Sequence, residues 1–121
     1  MNIDFIILAA GKGTRMGGDS PKVLADLAGK PMLQHLVNTV EGFENSKASI
    51  VVGYKSKEVE KGIVSSKKLN FVNQSKQLGT AHAVKQSFPF LRKNSVSVIL
   101  YGDAPLVSKN TLNRLIKSAS Q

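Results

Sequence analysis

The stretch Phe5-Ile6-Ile7-Leu8-Ala9-Ala10-Gly11-Lys12-Gly13-Thr14-Arg15 decides the fold of this chain. Its first half belongs to an apolar run that begins at Ile3, and a near-continuous run of this kind is typical of a strand buried on both faces of a parallel sheet. Its second half is rich in glycine and basic side chains and has no apolar period, so it predicts a loop directly after the strand. Because ligands of α/β proteins bind beyond the carboxyl ends of strands, this order predicts a binding site at the loop.

The rest of the chain alternates between strand and helix patterns. Apolar runs predict further strands at residues 48–52, 69–72 and 96–101. Helical spacing predicts one helix over residues 31–40, ended by Gly42, and three more that can be capped by Ser56, Thr80 and Ser108. The residues expected on the inward faces of these three helices are Val59, Ile63 and Val64; Ala81, Val84 and Phe88; and Leu112, Leu115 and Ile116.

Strand and helix thus follow one another four times. This alternation predicts an α/β fold, a Rossmann-like three-layer sandwich with a mostly parallel sheet. No linker or repeat interrupts the pattern, so we expect a single domain over residues 1–121.

Composition excludes several classes of protein. The chain has 121 residues and no Cys, so it has no disulfide framework, thiolate metal site or Cys nucleophile. Its apolar runs are far shorter than the roughly 20 residues of a membrane span, and we expect no membrane association. The N-terminal Met1-Asn2-Ile3-Asp4 has an acid where a secretory signal carries positive charge, so we expect a cytoplasmic protein.

The net charge of +9 arises mainly from the second half of the chain. Residues 61–121 hold ten basic side chains and one acid, Asp103. Such a surplus indicates a solvated lysine surface, a nucleic-acid binder or a site for a phosphate-rich small ligand. Because the basic residues are dispersed, 6% of residues are aromatic and Trp is absent, we favour the small anion over nucleic acid.

Residues 11–22 have the composition of a phosphate-binding loop. Gly11 and Gly13 let the backbone approach an anion, and Arg15 offers a planar charged fork to phosphate oxygens. Lys12 and Lys22 add point charges. The loop departs from both the dinucleotide fingerprint and the P-loop in its glycine spacing, so it predicts a phosphate site of another class.

Two further groups of polar residues follow predicted strands. Asp103 comes after the fourth strand, where it is either a turn residue or a ligand for a hard cation such as Mg²⁺. Gln74, Gln77 and Thr80 follow the third strand, where the amides either read a nucleobase edge or belong to an ordinary polar loop. The position of His82 is more typical of a partly buried helix residue than of a catalyst.

Motifs along the whole chain closely resemble the sugar-1-phosphate nucleotidyltransferases. They are Leu8-Ala9-Ala10-Gly11-Lys12-Gly13-Thr14-Arg15-Met16, Pro21-Lys22-Val23-Leu24, Leu27-Ala28-Gly29-Lys30-Pro31-Met32, Gln74-x-x-Gln77-Leu78-Gly79-Thr80-Ala81-His82-Ala83 and Tyr101-Gly102-Asp103-Ala104-Pro105-Leu106. The later motifs look like those of the N-terminal uridylyltransferase domains of bifunctional N-acetylglucosamine-1-phosphate uridyltransferases.

The resemblance implies a nucleotidyltransferase of the UDP-N-acetylglucosamine pyrophosphorylase type, acting in the supply of cell-wall precursors. Its substrates would be UTP and a sugar-1-phosphate, and its cofactor Mg²⁺. The resemblance implies that Arg15 and Lys22 are catalytic residues that hold the phosphates and that Asp103 coordinates the metal. The nucleotide-binding residues that it implies are Leu8, Ala9, Ala10, Gly11, Gly13, Thr14, Gln74, Gln77, Gly79, Thr80 and Tyr101.

The chain matches the nucleotide-binding half of the family's domain and lacks the half that holds the sugar. Three alternatives therefore stay open at this point: a nucleotide-binding fragment, a stand-alone module without turnover, and a cytidylyl- or guanylyltransferase of the same superfamily. We also expect a homodimer through the flank that the second half would cover, because an unpaired strand edge invites pairing. That flank comprises Val96, Val98, Leu100 and residues 112–116.

Overall fold

The computed structural model describes residues 2–10, 21–65, 69–74, 79–103 and 107–120. The strands are β1 Asn2–Ala9, β2 Asp26–Leu27, β3 Lys30–Pro31, β4 Ser46–Val52, β5 Asn70–Asn73 and β6 Ser95–Tyr101. The α-helices are α1 Met32–Glu41, α2 Ser56–Gly62, α3 Thr80–Lys85 and α4 Lys109–Ser120. Two short 3-10 helices span Lys22–Leu24 and Phe88–Phe90.

Four of the strands form one parallel sheet in the order β5-β4-β1-β6. This confirms the predicted α/β class. The register pairs Ala9 with Val52 on one side of β1 and Leu8 with Tyr101 on the other. Since the strands are parallel, their carboxyl ends lie level along one edge of the sheet, where the sequence predicts the binding site.

The main core lies between one face of the sheet and helices α1, α2 and α4. Alternate residues of β1 point to it because side chains of a strand alternate between faces. The fully buried members include Phe5, Ile7, Leu33, Ile50 and Leu112. This layer holds the strands in place and so fixes the positions of the loops at their carboxyl ends.

A smaller apolar cluster lies on the opposite face of the sheet. Ile6, Ala10 and Val51 pack there against Ala83 of α3. Ile99 and Tyr101 of β6 lie on this same face, opposite Ile6 and Leu8 of β1, and are 48% and 55% exposed. Helices on both faces make the predicted three layers, although this second layer is much thinner than the first. None of the helices in the described part of the chain has the length and apolar character needed to cross a bilayer.

Four predicted inward-facing residues are exposed instead, and the first of them is Ala81, in the first turn of α3. Val64 lies beyond the end of α2, and its backbone pairs with the Gln34 side chain through two hydrogen bonds, which leaves its own side chain outside. Phe88 lies in a 3-10 helix that follows the end of α3. Leu115 is exposed because α4 packs through Leu112 and Ile116, one turn apart on a different stripe.

The flank expected to mediate self-association is largely covered by the chain's own helix. Val98, Leu100, Leu112 and Ile116 are all buried in the main core. The prediction of an apolar surface at these residues was therefore wrong. The large exposed hydrophobic side chains of β6, Ile99 and Tyr101, lie on the other face of the sheet.

The predicted helix caps are correct at one of three positions. Ser108 accepts a hydrogen bond at Oγ from the backbone N–H of Thr111, at 3.1 Å, and caps α4. Ser56 and Thr80 are instead the first residues of their helices, and the capping positions are Lys55 and Gly79, both with positive φ and neither with a side-chain cap. Each of these two predictions was therefore one residue late.

A short hairpin follows the first 3-10 helix and was not predicted. Strands β2 and β3 pair antiparallel, and the two residues between them, Ala28 and Gly29, have φ of 53° and 85°. Positive φ at both central positions is typical of a type I′ turn. Met32 then begins α1, and its N–H donates to the Ala25 carbonyl at 2.9 Å.

A buried carboxylate joins the amino ends of the strands. Asp4, 3% exposed, accepts hydrogen bonds at Oδ1 from Arg92 Nε at 2.8 Å and at Oδ2 from the Arg92 N–H at 2.9 Å and Ser95 Oγ at 2.6 Å. Arg92 Nη2 also donates to the carbonyls of Ile3 and Asn45. Burial acts to raise the pKa of Asp4, but these hydrogen bonds and the guanidinium charge outweigh it and hold the pKa below its ordinary value.

Candidate active site

Backbone packing at the carboxyl edge of the sheet is unusually close around Gly53. A Cβ there would lie 3.1 Å from the Gln74 carbonyl oxygen and 3.2 Å from the Cβ of Ala10. Hydrogen bonds continue the ladder past the strand ends, from the Gln74 N–H to the Val52 carbonyl at 2.7 Å and from the Tyr54 N–H to the Ala10 carbonyl at 3.3 Å. The ends of β1, β4 and β5 therefore form one connected platform.

Gly102 closes the other side of this platform. Its N–H donates to the Leu8 carbonyl at 2.9 Å. A Cβ at Gly102 would lie 3.0 Å from both that carbonyl oxygen and Cγ1 of Val23. Val23 is the buried residue of the 3-10 helix Lys22–Leu24, so this contact holds that helix against the end of β6.

The two charged residues beside this contact form an ion pair. Lys22 comes directly before Val23, and Asp103 directly follows Gly102. Lys22 Nζ lies 3.2 Å from Asp103 Oδ2, and the two side chains are 36% and 40% exposed. The structure thus brings together a residue predicted to hold phosphate and one predicted to hold metal. Because both are partly open to solvent, the pair is accessible to a ligand and weak as a source of stability.

The amide predicted to read a nucleobase lies at the other end of the platform. Gln74 follows β5 and is 4% exposed. Its Nε2 lies 2.8 Å from Nδ1 of His82, on α3. Within the described residues, His82 is the partner of this side chain. The structure therefore holds Gln74 in one place.

Several predicted nucleotide-binding residues line the platform between these two ends. The side chains of Ala9 and Ala10 are buried, in the main and the smaller apolar cluster respectively. Leu8 is half-buried, and Tyr101, its partner in the register, is 55% exposed. A nucleoside in contact with Ala9 and Ala10 would therefore meet backbone, whereas Tyr101 offers an exposed ring.

Gly79 and Thr80 lie at the start of α3. Gly79 has φ of 98°, a backbone conformation that favours glycine, and both residues are exposed. The remaining predicted site residues lie outside the described residues: Gly11, Gly13, Thr14, Arg15 and Gln77. The described residues of the site are therefore those at the strand ends, at the start of α3 and in the 3-10 helix Lys22–Leu24.

The sequence did not predict the roles of three residues that shape this edge of the sheet. Gly53 directly follows β4 and Gly102 directly follows β6, the two strands on either side of β1, and a glycine at each of these strand ends is the signal that could have indicated close packing there. The contact of His82 with Gln74 had no such signal, because it joins a strand end to a helix whose position depends on the fold.

Comparison with known proteins places the chain in a family. The model of the MobA-like NTP transferase domain matches residues 5–121. The chain belongs to this family. Its parallel sheet is thus that of a nucleotidyltransferase-type domain.

Individual relatives agree with this assignment. The bifunctional protein GlmU of Ruthia magnifica subsp. Calyptogena magnifica is 47% identical over 120 residues, which cover 99% of this chain and 26% of that protein. The crystal structure of HddC from Yersinia pseudotuberculosis, complexed with GMP-PN, has 28% identity and a TM-score of 0.73 over 95% of this chain and 53% of that one. A nucleotidyl transferase from Methanothermobacter thermautotroptrophicus shares the fold, with 23% identity and a TM-score of 0.81 over 96% of this chain and 57% of that one.

The matched part of GlmU is its N-terminal region, as the motifs predicted. The chain spans about a quarter of the length of the curated relatives it matches. The family and fold are therefore established for this chain, whereas the substrates and activity of the longer proteins are not.

Proposed function

We propose that the chain binds UTP with Mg²⁺ at the carboxyl edge of the sheet and takes part in uridylyl transfer to a sugar-1-phosphate. The observation that carries the proposal is the Lys22–Asp103 ion pair. It brings one cation and one carboxylate together at the carboxyl edge of the sheet, in a domain of the nucleotidyltransferase type. On this proposal residues 1–121 are the nucleotide-binding half of a transferase domain that works in the cytoplasm.

The proposed reaction is an in-line displacement at phosphorus. A phosphate oxygen of the sugar-1-phosphate attacks the α-phosphorus of UTP, the bond from that phosphorus to the bridging oxygen breaks, and pyrophosphate leaves. Chemistry of this kind asks a protein for positioning and for neutralisation of phosphate charge. Lys22 would supply a point charge at the leaving pyrophosphate, and Arg15 of the loop would supply a bidentate contact.

Asp103 has the properties of a magnesium ligand. Mg²⁺ in nucleotide sites is bound by one or two carboxylates and by substrate phosphates, and it keeps several waters. A single, partly exposed carboxylate is sufficient for that mode. When bound, Mg²⁺ would neutralise charge on the phosphates.

When no ligand is bound, Lys22 and Asp103 neutralise each other's charge across 3.2 Å. A magnesium nucleotide offers each of them a better partner, since phosphate oxygens attract the ammonium group and the metal attracts the carboxylate. Binding would therefore exchange one weak ion pair for two stronger interactions.

A second candidate function is nucleotide binding without turnover. It requires only the phosphate-binding and metal-binding groups that the Lys22–Asp103 pair brings together, and no sugar site. The nucleobase that the chain prefers also needs a test, because the matched HddC structure is complexed with GMP-PN. UTP, CTP and GTP should therefore be compared directly.

Two measurements on the purified chain test the proposal. Competition of UTP, CTP and GTP for a fluorescent uridine nucleotide gives the preferred base, and we expect UTP to bind most tightly. Release of pyrophosphate from UTP is then followed with N-acetylglucosamine-1-phosphate. Tight UTP binding without pyrophosphate release would support the second candidate, and failure to bind any of the three nucleotides would contradict both.

A further inference from the structure

Gln74 is held by both its backbone and its side chain. Its N–H donates to the Val52 carbonyl at 2.7 Å, and its carbonyl packs against Gly53, where a Cβ would be only 3.1 Å away. The residue is 4% exposed, so its side chain has little room to change rotamer. The orientation of the terminal amide is then decided by the atom that faces it, which is Nδ1 of His82 at 2.8 Å.

The chemistry of this contact fixes which end of the amide faces away from His82. The structure orients the Gln74 amide with its nitrogen towards His82; in that orientation the amide donates, Nδ1 accepts, and the ring proton lies on Nε2. A second amide nitrogen, Nε2 of Gln86, lies 3.4 Å from Nε2 of His82 and donates to the His82 carbonyl at 3.1 Å. With the proton on Nε2, Gln86 is satisfied by the His82 carbonyl and makes no hydrogen bond to the ring. Gln74 is left presenting Oε1, a hydrogen-bond acceptor.

We propose that His82 determines nucleobase specificity by holding Gln74 with its amide oxygen presented to the base. The inference rests on the proposed function, and it adds a residue that acts on the base through another side chain. Uracil carries an N–H at ring position 3, which donates to such an acceptor. Cytosine has a lone pair at the same position, which would face the lone pairs of Oε1. The arrangement thus favours uracil and rejects cytosine.

The first test needs no ligand. Long-range ¹H–¹⁵N correlation spectra of the free chain report which ring nitrogen carries the proton, and His82 is assigned by its absence from a His82→Asn spectrum. We expect the proton on Nε2. A proton on Nδ1 would overturn the inference, because Gln74 would then turn its oxygen towards His82.

The second test is the ratio of the dissociation constants for CTP and UTP. His82→Leu removes the acceptor at similar size, and we expect the ratio to fall about tenfold, as the loss of one orienting hydrogen bond would cause. His82→Asn places an acceptor close to the position of Nδ1, so we expect it to retain the ratio within about threefold. Lys85→Ala, an exposed change on the same helix, is the matched control and should leave the ratio unchanged.

A double mutant shows whether His82 acts through Gln74. Gln74→Ala should lower the ratio as much as His82→Leu, and the two changes together should lower it no further. Pyrophosphate affinity, measured in parallel, should stay within about twofold in every variant that is folded by circular dichroism. If His82→Leu keeps the wild-type ratio while Gln74→Ala loses it, the inference is wrong but the proposed function stands. Wild-type protein that binds CTP as well as UTP would overturn the inference as well.

Discussion

Two ion pairs lie at opposite ends of the same parallel sheet, and their surroundings differ sharply. At the amino ends of the strands, Arg92 Nε meets Asp4 Oδ1 at 2.8 Å, with side chains 24% and 4% exposed. At the carboxyl ends, Lys22 Nζ meets Asp103 Oδ2 at 3.2 Å, with side chains 36% and 40% exposed. The first carboxylate accepts further hydrogen bonds from Ser95 and from the Arg92 backbone, whereas among the described residues the second pair makes only the contact between Lys22 and Asp103.

The difference separates a structural pair from one that can change partners. Removing a buried charge from its partner leaves it uncompensated, which costs several kcal/mol. An exposed pair contributes about 0–1 kcal/mol and can be opened with little loss. We infer that the amino ends of the strands are fixed so that the carboxyl ends can be adapted to a ligand.

The largest expected effect is on the structural pair. Arg92→Met should lower the free energy of unfolding by about 3 kcal/mol, because Asp4 would remain buried without its cation. Urea denaturation at neutral pH measures this loss. Lys93→Met, at the exposed next position, is the control and should change stability by less than about 0.5 kcal/mol. A similar small effect at Arg92 would abolish the contrast between the two pairs.

The next largest effect is expected at Gly102. Gly102→Ala should destabilise the chain by about 1–3 kcal/mol, because its Cβ would lie 3.0 Å from the Leu8 carbonyl oxygen and from Val23. Since Val23 adjoins Lys22, the same change should also weaken UTP binding. Gly29→Ala is the matched control: it strains a positive φ but has nothing within 4 Å of the new Cβ. Equal effects of the two changes on UTP binding would show that the Gly102 contact does not position Lys22.

Acid should weaken the structural pair in a defined direction. The pKa of Asp4 is lowered in the fold, so its contribution is complete above the ordinary value of about 3.9 and is lost as pH falls through the lowered folded value. The stability difference between wild type and Asp4→Asn should therefore shrink as the pH is lowered from 5 towards 2. Urea denaturation across this range measures it. A difference that stays constant below pH 4 would contradict the assigned role of Asp4.

The smallest expected effect is the loss of stability when the Lys22–Asp103 pair is broken. Lys22→Met should change the free energy of unfolding by less than about 1 kcal/mol. Glu58→Gln, which breaks another partly exposed pair, with Lys55 at 3.8 Å, is the control of similar kind. A loss near that of Arg92→Met would mean that Lys22 and Asp103 hold the fold together and are not free to bind a ligand.

The sequence was sufficient to predict the four parallel strands, because each apolar segment, even the short one at residues 69–72, is followed by glycine or polar residues. It was also sufficient to predict that Lys22 and Asp103 lie at the carboxyl edge. It could not predict that their side chains meet, since that distance depends on Val23 packing against Gly102. Strand order, which makes these two segments neighbours, is not contained in the periodicity.

The buried faces of the helices could also be predicted only in part from the sequence. Helical spacing placed Leu112, Leu115 and Ile116 together, but how much of a helix is covered depends on what lies opposite it. Helix α4 packs beside the outer strand β6 of the described sheet, so Leu115 has no layer to cover it. Asp4 likewise stands out in the sequence as an acid within an apolar run. The sequence does not predict that its partner is Arg92, which is distant along the chain.

The central claim is that Asp103 leaves Lys22 for the metal when a nucleotide binds. Titration calorimetry of UTP into wild type and Asp103→Asn, each with Mg²⁺ and with EDTA, tests it most directly. We predict that the substitution weakens binding at least tenfold with Mg²⁺ and by less than about threefold with EDTA, because the lost group would act through the metal. Equal weakening in both conditions, or none in either, would contradict the account.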